Sequence, residues 1–344
     1  MKGKCQATST NLIQQTWSGQ PTLMKTPKKR IAATSQIDRS LTLGEFAHTV
    51  ICEQYGAVVK QEKNVIADQD PKYLHDMRVG TRRLRTALQV FDRAIAMPKA
   101  ATAKRIGSLA KILGRLRDLD VQMATLQQRY RPTVSEPEQR SLDEVIDKLT
   151  KERRVAFAGV EDALTQSRYQ HLKVDYEAWL AQPRYASLAT QTLLPLIPDL
   201  LSPLLATLLL HSGWLVQTDE IDAASDRLHD LRKACKHVRY QAEFFVPFYS
   251  EAFQTWIEDI KTIQAKLGTL HDSQVLQALL TSHRPKYATW HDLQATVQQT
   301  QADAMSDWES VRQRYLEPAF RQHLHHLLLE PLAVDIPTAK QLYA

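Results

Sequence analysis

The chain has 344 residues, is 43% hydrophobic with only ten Gly, and carries a formal charge of +6 at pH 7. That length and apolar content suit a globular protein of two domain-sized halves, while the odd, scattered Cys5, Cys52 and Cys235 argue against a disulfide framework and fit a reducing cytosol. Residues 1–39 hold seven Lys or Arg against one acid, so the rest is balanced at 37 of each. This excludes a generally cationic surface, and any basic face in the body must be a local concentration.

Residues 1–39 read as a basic, mobile tail with the cluster Lys25, Lys28, Lys29 and Arg30, a solvated charge run, and no apolar stretch of signal-peptide length. Over residues 43–68, the spacing of Phe46, Val50, Tyr55, Val58, Val59 and Val65 predicts one amphipathic helix. Asp68-Gln-Asp-Pro71 then stops that helix and starts another, with Asp70 as N-cap and Pro71 at the first position. The second helix is expected to run to Met97, where Pro98 ends it. Further helices are expected over residues 99–130 and 136–168, then to Leu180, with Pro183 marking a hinge between halves.

Residues 193–216 are the most apolar stretch, but Pro195, Pro198, Asp199, Pro203 and His211 interrupt it. It reads as a buried helix and not as a membrane span. Helices over 223–249, 251–281 and 287–329 complete the chain, and no strand pattern of useful length appears. The expected class is all-α.

One stretch recurs. Residues 74–85, Leu-His-Asp-Met-Arg-Val-Gly-Thr-Arg-Arg-Leu-Arg, return at residues 228–239 as Leu-His-Asp-Leu-Arg-Lys-Ala-Cys-Lys-His-Val-Arg, with five of twelve positions identical. A second pair, residues 113–122 against 267–276, keeps five of ten identities at the same 154-residue offset, in the pattern Leu-Gly-x-Leu-x-Asp-x-x-Val. Shared register points to internal duplication, two halves of similar fold. In each copy a basic set stands at relative positions 0, 3, 7 and 10: His75, Arg78, Arg82 and Arg85, then His229, Arg232, Lys236 and Arg239. On a helix these fall within roughly 80° of circumference and spread over ~15 Å of axis, forming a cationic stripe beside the apolar face. Like charges at that spacing repel, so two such stripes call for an anion opposite them. If the halves pack about a twofold axis, the stripes face one another.

Other chemistries fit these residues less well. The His-Asp dipeptides at 75, 229, 271 and 291 resemble those of metal-dependent HD phosphohydrolases, yet His75 and His229 sit among permanent cations, a poor place for a dication. A phosphotransfer histidine has no obvious use in duplicate. Asp118 and Asp120 form an Asp-x-Asp that the repeat replaces with Asp272 and Gln274, so Asp118 and Asp272 read as partners that hold basic side chains. No Gly-rich phosphate loop or metal-spaced Cys/His set is present. The bland alternative, Arg and Lys stems packed along a core edge, accounts for one helix better than for the same spacing twice. Single-strand nucleic-acid binders interleave aromatics for base stacking, whereas Phe91, Phe244 and Phe245 follow the apolar positions. A phosphate chain without bases fits better than RNA.

The doubled His-x-x-Arg-x-x-x-(Arg/Lys)-x-x-Arg, each followed by a Leu-Gly-x-Leu-x-Asp helix, resembles the CHAD family, the conserved histidine α-helical domain, over residues 43–329. The resemblance implies two four-helix bundles about a pseudo-twofold axis and a central basic cavity that binds inorganic polyphosphate. It places the basic positions on His75, Arg78, Arg82, Arg83, Arg85, Arg117, His229, Arg232, Lys233, Lys236 and Arg239, with Lys111, Lys261 and Lys266 as additions. His237 stands opposite Arg83, Thr269 opposite Arg115 and Gly107 opposite Lys261. The Glu-x-Glu-x-Lys strand of the triphosphate-tunnel domain fused to many relatives does not occur here. The expectation is a tail over 1–39, bundle halves over 40–182 and 183–330, and a C-terminal tail over 331–344. Function is expected to be non-catalytic polyphosphate binding, without cofactor, metal, membrane or nucleic-acid partner, in the cytoplasm with polyphosphate granules as a candidate location. The alternatives are a metal-dependent phosphohydrolase and a binder of RNA or another polyanion.

Overall fold

The computed structural model describes residues 38–286 and 288–332. The expected N-terminal tail up to residue 37, with its lysine cluster, and the C-terminal tail from residue 333 lie outside the described residues. The described chain is all-α: two isolated antiparallel bridges, Thr42 with Thr192 and Ile95 with Tyr185, stand in place of any strand.

Thr42 caps α1 (Leu43–Val59) in a reciprocal box, its hydroxyl accepting from the Glu45 backbone and the Glu45 carboxylate accepting from the Thr42 N–H. The single helix expected to Asp68 is two, because the chain turns at Lys60 and Gln61 before α2 (Glu62–Ala67). The turn lets Glu62 accept from Lys173 at 3.0 and 3.1 Å. Asp68, at φ 48°, stops α2 in the left-handed region. Asp70 then caps α3 (Pro71–Val90), accepting from the Lys72 N–H at 2.8 Å with Pro71 at the first position, as its sequence requires.

α3 ends at Val90, seven residues short of Met97. Residues 94–96 instead exchange backbone hydrogen bonds with residues 184–186, Ala96 N–H to Arg184 and Ala186 N–H to Ala94, and Pro98 favours extended backbone just before it. α4 (Ala103–Thr125) passes into a π-helical turn, Leu126–Tyr130, followed by α5 (Glu136–Thr165) and α6 (Ser167–Ala181). The connection through Pro183 is held by backbone bonds of Leu43 N–H to Gln191 and Leu193 N–H to Leu41.

α7 (Leu193–Leu209) keeps Pro198 and Pro203 inside it and buries Leu193, Ile197, Leu201, Leu205 and Leu208 against its neighbours. With the turn that follows, to Leu215, it is long and apolar enough to cross a membrane by length and composition alone. α8 (Ser225–Ala242) and α9 (Glu251–Ser282) follow. The long last helix expected over 287–329 is three: α10 (His291–Met305), α11 (Trp308–Leu316) and α12 (Pro318–Leu329). Two local causes break it. Buried Trp308 donates its indole N–H to the Val216 carbonyl at 2.9 Å, and Pro318, lacking an N–H, opens a helix more readily than it continues one.

α3 packs on α1 and α4, α8 on α7 and α9, and α3 meets α8 directly. Phe46 of α1 contacts Phe91, Phe245 and Phe248, with ring centroids 5.2 to 5.8 Å apart. These apolar rings lock the ends of the two basic helices together, each worth roughly 2–3 kcal/mol when buried.

Candidate functional site

The two stripes converge. α3 and α8 bring Arg78 and Arg82 from one half and Arg232 and Lys236 from the other to a shared cavity of about 550 Å³. α4 adds Arg117, His75 stands at its edge, and α9 adds Gln264 and His271. Six Arg or Lys side chains line it, including Arg129, against the carboxylates of Asp118 and Asp272.

The local geometry repeats at the 154-residue offset. Gly114 of α4 lies beneath Arg78, with Nε 3.5 Å and Nη2 3.7 Å from where a Cβ would stand, and Gly268 of α9 lies beneath Arg232 at 3.4 and 3.7 Å. Each guanidinium thus lies close over a glycine, where a side chain larger than alanine would displace it. Each also has its aspartate: Arg78 donates to Asp118 at 3.3 Å, and Arg232 stands 4.0 Å from Asp272. These carboxylates are 61% and 74% exposed, so water screens both pairs and they are weak.

The guanidinium carbons of Arg82, which lines the cavity, and of Arg239, which lies outside its lining, stand over the Tyr240 ring, 4.2 and 4.4 Å from its centroid. Glu243 accepts from Arg83 at 2.6 Å and stands 3.5 Å from Arg239 Nε, so one carboxylate serves both helices. Other polar atoms are left over. The Nε atoms of Arg82 and Arg232 and Nδ1 of His229 are buried with no hydrogen-bond partner in the protein, the situation that costs most for a polar or charged group.

The electrostatics follow. Burial, then the charges of Arg232, Arg82, Arg78 and Arg239, push the Lys236 ammonium down to about 8. Burial, then Arg117, lowers His75; burial, then Lys233, lowers His229; and burial, then the His229 ring at 4.2 Å, lowers His271. Arg82 is lowered as well, by burial first. The protein thus crowds six cations around the cavity that the carboxylates of Asp118 and Asp272 offset only in part.

Not every basic position named from the sequence reaches this cavity. Arg83 is committed to Glu243 and Gln54. Arg85 continues the α3 stripe outward and lies against Gly107, while Lys111 is exposed on that same face of α4. Lys233 pairs with Asp230 at 2.5 Å, Lys261 with Glu258 at 2.8 Å, and Lys266 with Asp307 of the turn before α11. His271, Arg129, Gln264 and Tyr240 line the cavity without being among the basic positions expected from the sequence. His271 was within reach of sequence reasoning, since it stands opposite Arg117 in the repeat.

Among the described residues, no three His, Cys, Asp or Glu side chains gather as a metal-binding group. The Tyr240 ring, one of two tyrosines lining the cavity, is already engaged by two guanidiniums. What the arrangement can do is bind a flexible, multiply charged anion along both helices at once.

A protein-family model described as CHAD domain matches residues 49–281, which takes in both basic helices. Two solved structures share the fold. The CHAD domain from the plant Ricinus communis superposes with a TM-score of 0.57 at 24% identity, covering 88% of this chain and 96% of its own. PptA from Streptomyces chartreusis superposes with a TM-score of 0.56 at 12% identity, covering 81% and 99%. No curated protein matches the chain.

Proposed function

The chain belongs to the CHAD family, and from that premise we propose that it binds inorganic polyphosphate, without cleaving it, in the cavity between α3 and α8. The observation that supports this reading most is the convergence of Arg78, Arg82, Arg232 and Lys236 on one space, with buried donors there unmatched by protein acceptors. A polyphosphate chain supplies dense negative charge and many acceptor oxygens, suited to planar guanidinium donors. It also favours the charged forms of Lys236 and the histidines, which burial disfavours. The family resemblance carries the same expectation, and a cytoplasmic protein that gathers on polyphosphate granules is the cellular form of this reading.

The test is a titration of the purified chain with long-chain polyphosphate across a salt series. Binding should be tight at low salt and weaken steeply as salt rises, RNA should compete poorly, and no phosphate should be released with or without manganese. Manganese-dependent release lost on substituting His75 or His229 would make the protein an enzyme instead. Equal competition by RNA would make it a general polyanion binder.

A further inference from the structure

The α4 wall of the cavity is a ridge of residues four apart: Arg117, Val121, Thr125 and Arg129. All four also line a separate recess of about 340 Å³ on the far side of that ridge, with Ala124, Gln128, Asp120 and Pro71. A cation therefore stands at each end of the wall and faces both spaces. Arg129 is presented by the π-helical turn Leu126–Tyr130, a form of helix that recurs at functional sites. Its guanidinium donates to the Thr300 hydroxyl on α10 at 3.1 Å and lies 5.5 Å from the Tyr130 ring, and it has no carboxylate partner among the described residues. The one acid of the recess, Asp120, is mostly buried; its Oδ1 takes a hydrogen bond from Arg153 at 2.7 Å, which also holds Asp68, and its Oδ2 is buried with no partner in the protein.

The other half lacks this arrangement. On α9 the equivalent ridge is His271, Val275, Leu279 and His283. His283, in the place of Arg129, is tied to Glu152 at 2.7 Å. The far end of the wall thus carries, after α4, an arginine with no carboxylate partner among the described residues and, after α9, a carboxylate-paired histidine.

We propose that the recess beyond Arg117 and Arg129 is a second phosphate subsite, taking the continuation of a polyphosphate chain already seated in the cavity. The chain crosses the α4 ridge and does not end against it. This rests on the polyphosphate reading and adds to it: the cavity alone accommodates a short oligophosphate, and chain length is read at Arg129.

Affinities for tripolyphosphate and for long-chain polyphosphate, measured on the full chain carrying Arg129→Gln, Gln128→Glu or Gln128→Lys, test it. Gln128 lines the recess and not the cavity, and it is exposed, so its variants leave the fold and the cavity in place. Arg129→Gln should lose about tenfold in long-chain affinity, as expected for one charge-assisted contact, and a smaller part of its tripolyphosphate affinity, because Arg129 also lines the cavity. Gln128→Glu should weaken and Gln128→Lys strengthen long-chain binding alone. Equal effects on both ligands, or none on either, would overturn the second subsite while leaving polyphosphate binding intact. A wild-type chain that binds neither ligand would instead remove the polyphosphate reading itself, and this proposal with it.

Discussion

The Arg83 guanidinium on α3 donates to the Glu243 carboxylate, the residue capping α8, at 2.6 Å. Glu243 also faces Arg239 at 3.5 Å, so it neutralises one cation from each basic helix just below the cavity. Both partners of the short bond are partly buried. Glu243→Gln leaves two guanidiniums facing an amide, and should cost about 1–2 kcal/mol of stability, read as a lowered melting temperature. Saturating polyphosphate should recover part of that loss, because a bound polyanion relieves the same repulsion.

Asp118 and Asp272 hold the guanidiniums that the ligand is to take over. Asp118→Asn with Asp272→Asn should strengthen polyphosphate binding by about threefold, and shift stability by no more than about 0.5 kcal/mol, as expected for exposed pairs. Weaker binding in this variant would mean that the carboxylates aim the arginines more than they compete for them.

Lys236 links the site to pH. Its folded value of about 8 lies below the ordinary 10.5. Between those values the unfolded chain binds the extra proton, so stability from this residue is full above the window and lost as pH falls through it. Lys236→Met should therefore raise the melting temperature of the free protein at pH 7 and weaken polyphosphate binding. In the wild type, ligand restores the charged form, so binding above pH 8 should take up a proton, measurable as a dependence of calorimetric heat on buffer ionisation. His75, His229 and His271 are lowered in the same sense, so affinity should rise further as pH falls below 6.5.

Gly114 serves as a seat for Arg78. Gly114→Ala brings Cβ to ordinary contact, 3.5 Å from Nε. It should stabilise the helix by about 0.5–1 kcal/mol and leave affinity unchanged. Gly114→Leu displaces the guanidinium and should cost about tenfold in affinity. Equal affinities for the two variants would show that the close approach does not matter.

Much of the fold was legible because a helix has a fixed angular period. The spacing of His75, Arg78, Arg82 and Arg85 placed them on one face, and Asp70 with Pro71 marked where that helix starts. Breaks set by distant contacts were not legible: the indole of Trp308 reaching Val216, or residues 94–96 pairing with residues 184–186. The same limit applies to the site. Lys266 was grouped with the stripe on charge, yet Gln264 and Gly268 carry the inward face of α9, and Lys266 turns to Asp307. Arg129 was missed because a π turn alters the phase that a 3.6-residue period assumes, and Tyr240 because its engagement by two arginines depends on where the other half lies.

The central claim is that cations from both halves act on one anion. Affinity for long-chain polyphosphate at fixed low salt, compared between Arg78→Glu with Arg232→Glu and Lys261→Glu with Lys266→Glu, tests it most directly. The first pair should lose about a hundredfold or more and show a flatter salt dependence, while the second pair, engaged with Glu258 and Asp307 outside the cavity, should stay within about threefold of wild type. Equal losses in the two variants would contradict a shared cavity and leave only diffuse surface charge.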